Sequence, residues 1–189
     1  STFEAALVDT GESAKAEPGK PASKDAQSVT GAIARAAHAA MDGESAAMVT
    51  APIHKSVMTE AGFGFPGHTE YLQHLTGAKR AVMMLASEEP NPPLRVVPFT
   101  VHMALSQVFS HLKAEDIADA GAITLDALTR DFGCRQPRLA VAGLNPHAGE
   151  DGTMGKEDGT VIADAVAALR RQRSEEHTSE LQSRLHLVC

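Results

Sequence analysis

The chain has 189 residues, 43% of them hydrophobic and 22% charged, and a formal net charge of −7. These values are ordinary for a globular domain or a piece of one, and the acidic balance argues against nonspecific nucleic-acid binding. Apolar runs are too short to cross a membrane and the N-terminal residues lack the pattern of a signal peptide, so we expect no membrane partner and a cytoplasmic location.

The first third of the chain alternates helical and strand patterns. An exposed loop rich in Gly, Pro and Lys covers 9–24, and apolar residues at helical spacing then predict a helix over 25–43. A short apolar run predicts a buried strand over 46–50, and a short helix follows over 53–61. This order is typical of an α/β protein.

The middle of the chain continues the alternation. A Gly-rich loop with two Phe residues at 62–67 leads into a short predicted helix at 69–75. Two predicted strands follow at 81–85 and 95–100, and Pro98 places an edge, a bulge or a strand end in the second.

The remaining pattern is mostly helical. Helices are predicted over 104–112 and 114–132, then a buried strand over 138–142 and a helix over 156–171. Strands that alternate with helices predict an α/β fold with a mainly parallel sheet flanked by helices.

The polar loop at 142–152, Ala-Gly-Leu-Asn-Pro-His-Ala-Gly-Glu-Asp-Gly, follows the predicted strand 138–142. The carboxyl ends of strands in open α/β sheets are where ligands bind. His147 in this loop could be a metal ligand or an acid–base group. Glu150 and Asp151 could orient it, or could be ordinary exposed acids.

Other histidines occupy similar positions. His102 follows the strand 95–100, and His68 lies at a glycine-marked turn where His68 or Thr69 could cap a helix and leave N–H groups free for an anion. The pair His54 and Lys55 forms a further corner suited to a phosphate or carboxylate. Each of these residues also has a structural interpretation, as a turn, packing or surface residue.

Three motifs together resemble the 4-hydroxythreonine-4-phosphate dehydrogenase family of pyridoxal phosphate (vitamin B6) biosynthesis. They are Ala-Pro-Ile-His-Lys at 51–55, Phe-Pro-Gly-His-Thr-Glu at 65–70 and Gly-Leu-Asn-Pro-His-Ala-Gly-Glu at 143–150. The resemblance implies an enzyme that oxidises 4-phosphooxy-L-threonine with NAD or NADP and a divalent metal (zinc, magnesium or cobalt). The product then loses carbon dioxide to give 3-amino-2-oxopropyl phosphate.

The resemblance also implies roles for individual residues. His102 and His147 match two of the family's three metal-binding histidines, and His68 and Thr69 match its substrate-binding pair. The family's metal site lies at a homodimer interface, so a homodimer is implied. No residue of this chain is assigned as catalytic or cofactor-binding.

The match to the family is incomplete. The family's first strand, its third metal histidine and its later substrate-binding residues have no counterpart here, so the sequence predicts that residues 1–172 are a fragment of the α/β dehydrogenase, inactive alone. Residues 173–189 resemble a translated sequencing adapter and are expected to be a non-native tail.

Two alternatives remain open. A related dehydrogenase could act on a four-carbon sugar-acid phosphate or a cis-dihydrodiol, of which the second would make little use of His54 and Lys55. The chain could also be a non-catalytic binding domain or an inactive fragment, which would take up neither metal nor cofactor.

Overall fold

A computed structural model of the chain describes residues 7–89, 92–176 and 186–188. It divides into two compact units, residues 1–81 and residues 82–189. The helices are α1 (Ala26–Met41), α2 (Lys55–Glu60), α3 (His68–Thr76), α4 (Val108–His111), α5 (Ala114–Arg130) and α6 (Ala163–Glu176). The strands are β1 (Leu85–Ser87), β2 (Leu94–Val96), β3 (Ala140–Ala142) and β4 (His186–Val188).

The first unit is built from α1, α2 and α3. Helix α1 buries Ile33 and Ala37, which lie on the face that its apolar spacing predicts. Helix α3 packs against α1, and the Tyr71 hydroxyl donates a hydrogen bond to the Thr30 carbonyl oxygen at 3.4 Å. The Tyr71 ring also contacts the ring of Phe63, with centroids 5.1 Å apart. These contacts fix the start of α3 relative to α1.

The core of the second unit lies between α5 and α6. Leu125, Val166 and Leu169 are buried there, and Leu139 just before β3 packs against them. The close approach of the helices requires Gly121, because a Cβ at that position would lie 2.7 Å from Leu169 Cδ1. Strand β3 is thereby held on the helix pair, which positions the loop that follows it.

The predicted helices are confirmed, with changes at their ends. The region 104–112 is a short 3-10 segment, Leu105–Gln107, followed by α4. The last helix opens with a π-helical turn, Asp158–Ile162, in which the Ile162 N–H donates to the Glu157 carbonyl oxygen at 3.0 Å. In the described parts of the chain, no helix combines the length and the apolar character needed to span a bilayer.

The prediction for the strands needs correction. The mixture of helices and strands is confirmed, but among the described strands β1 and β2 pair antiparallel and β3 and β4 pair parallel, so a mainly parallel sheet is not confirmed. Residues 46–50 are not a strand, and Val49 is 96% exposed. An apolar run becomes a strand only when a neighbouring strand hydrogen-bonds to it, and none of the described strands pairs with this run.

The region expected to be a non-native tail, 173–189, is described only in part. The last residues of α6 and the strand β4 belong to it, and β4 pairs with β3 so that Val141 lies opposite Leu187. The rest of this region lies outside the described residues.

Candidate functional site

The loop of residues 143–155, called the strand-end loop below, leaves the carboxyl end of β3 and carries His147. In its 3-10 segment, Pro146–Gly152, the six successive residues from His147 to Gly152 have positive φ, between 42° at Glu150 and 90° at Gly152. This left-handed backbone costs roughly 1–2 kcal/mol for each L-residue other than glycine. The loop therefore needs contacts elsewhere that stabilise it.

Asp158, at the start of the π-helical turn, provides such contacts. Its carboxylate accepts hydrogen bonds from the backbone N–H groups of Leu144 at 2.7 Å and Asn145 at 3.1 Å. It also accepts one from the Asn145 side-chain amide at 2.9 Å, and that amide donates to Glu157 at 2.9 Å as well. Asp158 is only 2% exposed. A buried carboxylate with three donors is a strong anchor for the first residues of the strand-end loop.

Two glycines allow the loop to close on itself. A Cβ at Gly149 would collide with the Gly155 carbonyl oxygen, and a Cβ at Gly155 would collide with the Asn145 side-chain amide. Both residues also have positive φ, 81° and 138°. Glycine is required at these positions because any other residue would be both strained and in contact with its neighbours.

The environment of Asp158 keeps its carboxylate ionised. Burial acts to raise the pKa of Asp158, but the hydrogen bonds from the Leu144 backbone and from the Asn145 side chain and backbone outweigh it, so the pKa lies below the ordinary value. The anchor therefore carries a negative charge at neutral pH.

His102 and His147, predicted as metal ligands, share two features. Both side chains are exposed, and both residues lie in the left-handed region, with φ of 56° and 51°. Among the described non-glycine residues, positive φ occurs at these two histidines and at three further residues of the strand-end loop. Uncommon backbone conformations of this kind cluster at functional sites.

The donors present do not by themselves complete a metal site. Within 7–89, 92–176 and 186–188 there is no group of three or more His, Cys, Asp or Glu side chains arranged to hold a metal ion. Catalytic zinc takes three protein ligands and structural zinc takes four. Two imidazoles of this chain are suitable donors, but further ligands would have to come from elsewhere.

In the first unit, Lys55 lies close to the start of α3, where the predicted substrate-binding residues His68 and Thr69 are located. Lys55 begins α2, and Gly67 precedes α3, whose first residues are His68 and Thr69. A Cβ at Gly67 would lie 4.0 Å from Lys55 Nζ and 3.4 Å from a carboxylate oxygen of Glu70. The ammonium group of Lys55 therefore lies beside the N-terminus of α3, where free N–H groups favour an anion. Lys55 and the first residues of α3 are called the α3 corner below.

His68 has an unusual environment within this corner. Its Nε2 atom is buried and makes no hydrogen bond to any described residue. His54, in contrast, is exposed and its Nδ1 lies 3.1 Å from the Ser56 hydroxyl. A buried imidazole nitrogen without a partner is the kind of group that a bound ligand satisfies.

A cavity of about 840 Å³ lies within the second unit. It is lined mainly by apolar residues of β2, α5 and β3 and the segments next to them, and neither His102 nor His147 is part of the lining. Large apolar pockets are common ligand sites, and Arg95 and Arg138 add two cations to this lining, but none of the site residues predicted from the sequence is part of it. The strand-end loop and the α3 corner are therefore the better candidates.

Sequence reasoning missed Asp158, which the structure identifies as the anchor of the strand-end loop. Glu150 and Asp151 are exposed, in agreement with the alternative that they are surface acids. The signal that could have identified Asp158 is its position at the start of a helix directly after a Gly-rich loop. Side chains at that position commonly accept hydrogen bonds from backbone N–H groups.

Comparison with known proteins gives a consistent result. The family model described as "Pyridoxal phosphate biosynthetic protein PdxA" matches residues 2–178. A curated relative from Paracoccus denitrificans (strain Pd 1222), named 4-hydroxythreonine-4-phosphate dehydrogenase, is 51% identical over 160 residues, which are 84% of this chain and 50% of the relative. A relative of the same name from Bradyrhizobium diazoefficiens is 45% identical over 168 residues, 87% of this chain and 48% of the relative.

Solved structures agree with the sequence relatives. The crystal structure of 4-hydroxythreonine-4-phosphate dehydrogenase from Klebsiella pneumoniae matches with a TM-score of 0.75 at 37% identity, over 84% of this chain and 46% of that one. The chain spans about half the length of the curated relatives that it matches. Because the PdxA family model covers nearly all of its residues, this chain belongs to the PdxA family of pyridoxal phosphate biosynthetic proteins.

Proposed function

We propose that the chain is part of an NAD(P)- and metal-dependent 4-hydroxythreonine-4-phosphate dehydrogenase. The observation that carries the proposal is the positive φ of His102 and His147, the two residues that match metal-binding histidines of the family. The relatives named for this activity support it. The substrate is 4-phosphooxy-L-threonine and the final product is 3-amino-2-oxopropyl phosphate.

The α3 corner is the proposed binding site for the phosphorylated substrate. The N-terminus of α3, the Lys55 ammonium group and the unpartnered Nε2 of His68 are all suited to an anionic ligand. Thr69 adds a hydroxyl group one residue further along α3. His54 lies at the start of α2 next to Lys55 and is proposed as a further residue of the corner.

His102 and His147 are proposed as two ligands of a divalent metal: zinc, magnesium or cobalt. Imidazole nitrogen suits zinc and cobalt better than magnesium. Since the described residues supply an incomplete set, the remaining ligand is proposed to come from family sequence outside this chain, at a homodimer interface. A bound metal would supply a Lewis acid at the substrate hydroxyl.

The proposed reaction is an alcohol oxidation followed by a decarboxylation. The C–H bond at the substrate hydroxyl carbon breaks, its hydride passes to the nicotinamide of NAD or NADP, and the hydroxyl proton is released as the carbonyl forms. The resulting β-keto acid loses carbon dioxide. The corner at α3 would contribute by orienting the phosphorylated substrate.

Several broader features are proposed for the complete protein. They are a mainly parallel α/β/α sheet that includes residues 1–172, a cytoplasmic location and a homodimer. Residues 173–189 are proposed to be non-native, because they resemble adapter sequence. The chain of 189 residues is expected to be inactive alone, and turnover of 4-phosphooxy-L-threonine with NAD by the purified chain would contradict this.

Isothermal titration of the purified chain tests the substrate site. We expect 4-phosphooxy-L-threonine to bind and L-threonine, which lacks the phosphate, to bind far more weakly. Lys55→Gln should weaken binding roughly 3- to 10-fold because it removes one exposed cation. Lys24→Gln, an exposed lysine of the same unit, is the matched control and should bind like the parent chain. Equal binding of both amino acids would contradict the proposed site.

A further inference from the structure

We propose that Asp158 is a positioning residue for His147. Its carboxylate fixes the strand-end loop through the backbone of Leu144 and the backbone and side chain of Asn145, two residues before the histidine. The inference rests on the proposed function for the role of His147 as a metal ligand. The anchoring of the loop is a separate claim that can be tested without metal.

The anchor acts at the point where the loop leaves the sheet. Asp158 Oδ1 accepts a hydrogen bond from the Leu144 backbone N–H. Asp158 Oδ2 accepts one from the Asn145 backbone N–H and one from the Asn145 side-chain amide. A Cβ at Gly143 would lie 3.3 Å from Oδ1, so the carboxylate also lies against the backbone before the loop. Both oxygens are therefore used, and Asp158 is held at the start of the α6 region.

The left-handed segment explains why an anchor is needed. Residues 147–151 all have positive φ, which L-residues adopt only when surrounding contacts determine the conformation. The Ala148 N–H donates to the Asn145 carbonyl oxygen at 3.1 Å, so the residue that Asp158 holds also closes the turn carrying His147. The position of the imidazole is thus linked to the Asp158 carboxylate through Asn145.

An amide could not replace this carboxylate. The donors that reach Asp158 are all N–H groups, so the NH₂ group of an asparagine would face one of them and one hydrogen bond would be lost. The negative charge that strengthens the remaining bonds would be lost as well. Asp158→Asn is therefore a small change in shape with a large expected effect on the loop.

Two readouts on the chain of 189 residues test the proposal. The first is amide hydrogen exchange of Leu144 and Asn145 without metal, which we expect Asp158→Asn to accelerate roughly 10- to 100-fold. The second is the zinc-induced shift of each histidine ring followed by NMR. For His147 we expect zinc affinity to fall about 10- to 100-fold, while the His68 ring signal stays unchanged.

Two further variants make the result specific. Asp164→Asn is the matched control, since Asp164 is exposed on α6, and it should behave like the parent chain in both readouts. Asn145→Ala removes the side-chain donor and leaves the two backbone bonds to Asp158, so a smaller change is expected. It provides the test if Asp158→Asn does not fold.

The two claims fail in different ways. The positioning role would be overturned if amide exchange at Leu144 and Asn145 were unchanged in a folded Asp158→Asn chain. If Asp158→Asn does not fold, unchanged exchange in Asn145→Ala would overturn it. If His147→Ala bound zinc with the same affinity as the parent chain, the assignment of His147 as a metal ligand would be overturned. The hydrogen-exchange result would still stand. Faster exchange with unchanged zinc affinity at His147 would overturn the link between anchor and ligand.

Discussion

Gly155 is a residue at which the strand-end loop leaves no space for a side chain. A side chain there would be strained by its φ of 138° and would meet the Asn145 amide, which Asp158 holds. We expect Gly155→Ala to lower the free energy of unfolding by about 1–3 kcal/mol, measured by denaturant titration. Gly159→Ala is the control, because no atom lies within 4 Å of its Cβ position. A comparable loss in the control would contradict this reading of the loop.

Asp158 should also make stability depend on pH. Its pKa is lower in the folded chain than the ordinary 3.8, so its stabilisation is complete above 3.8 and is lost as the pH falls through the folded pKa. Asp158→Asn should therefore cost about 1–3 kcal/mol at neutral pH. The difference in unfolding free energy between the parent chain and the variant should shrink as the pH falls below 3.8. A difference that grows with acidification would refute the assignment.

At the same scale, the sequence identifies some residues of the candidate site and not others. His102 and His147 can be found because each follows an apolar run, and the motifs around Lys55 and His68 point to the α3 corner. Asp158 is harder to find, since it is one of several acids in a polar stretch and only its position at the start of a helix distinguishes it. Its burial depends on how α6 packs against β3, which no local pattern encodes.

Among the elements, the α5–α6 pair contributes most to the core of the second unit. Leu169 is 1% exposed and contacts Gly121 across the pair. We expect Leu169→Ala to cost about 2–5 kcal/mol because it leaves a cavity between the helices. Leu105→Ala is the control, since Leu105 is 83% exposed and should cost under about 0.5 kcal/mol. Denaturant titration measures both, and equal losses would contradict the packing described.

Helices and strands differ in how well the sequence predicts them. The helices α1 and α5 follow from apolar residues at helical spacing, and their hydrogen bonds are internal to each helix. A strand depends on a partner, and an apolar run such as 46–50 does not specify one. The helix pattern also failed to show that the α6 region opens with a π-helical turn, because that geometry accompanies the tertiary contacts of Asp158.

For the whole molecule, the division into two units predicts stepwise unfolding. The first unit buries Ile33 and Ala37, whereas the second buries the larger set around Leu125 and Leu169, so the first should unfold at lower temperature. Ile33→Ala should lower the midpoint temperature of the first transition alone, by several degrees. Leu169→Ala should lower only the midpoint temperature of the second. Calorimetry measures both. A single transition lowered equally by the two variants would contradict independent units.

The reversed handedness of residues 147–151 has one more consequence, for chirality. Ala148, with φ of 50°, sits in the region that a mirror-image amino acid prefers. Chemical synthesis or ligation that places D-alanine at position 148 should therefore make the chain more stable, whereas D-alanine in a right-handed helix such as α5 should make it less stable.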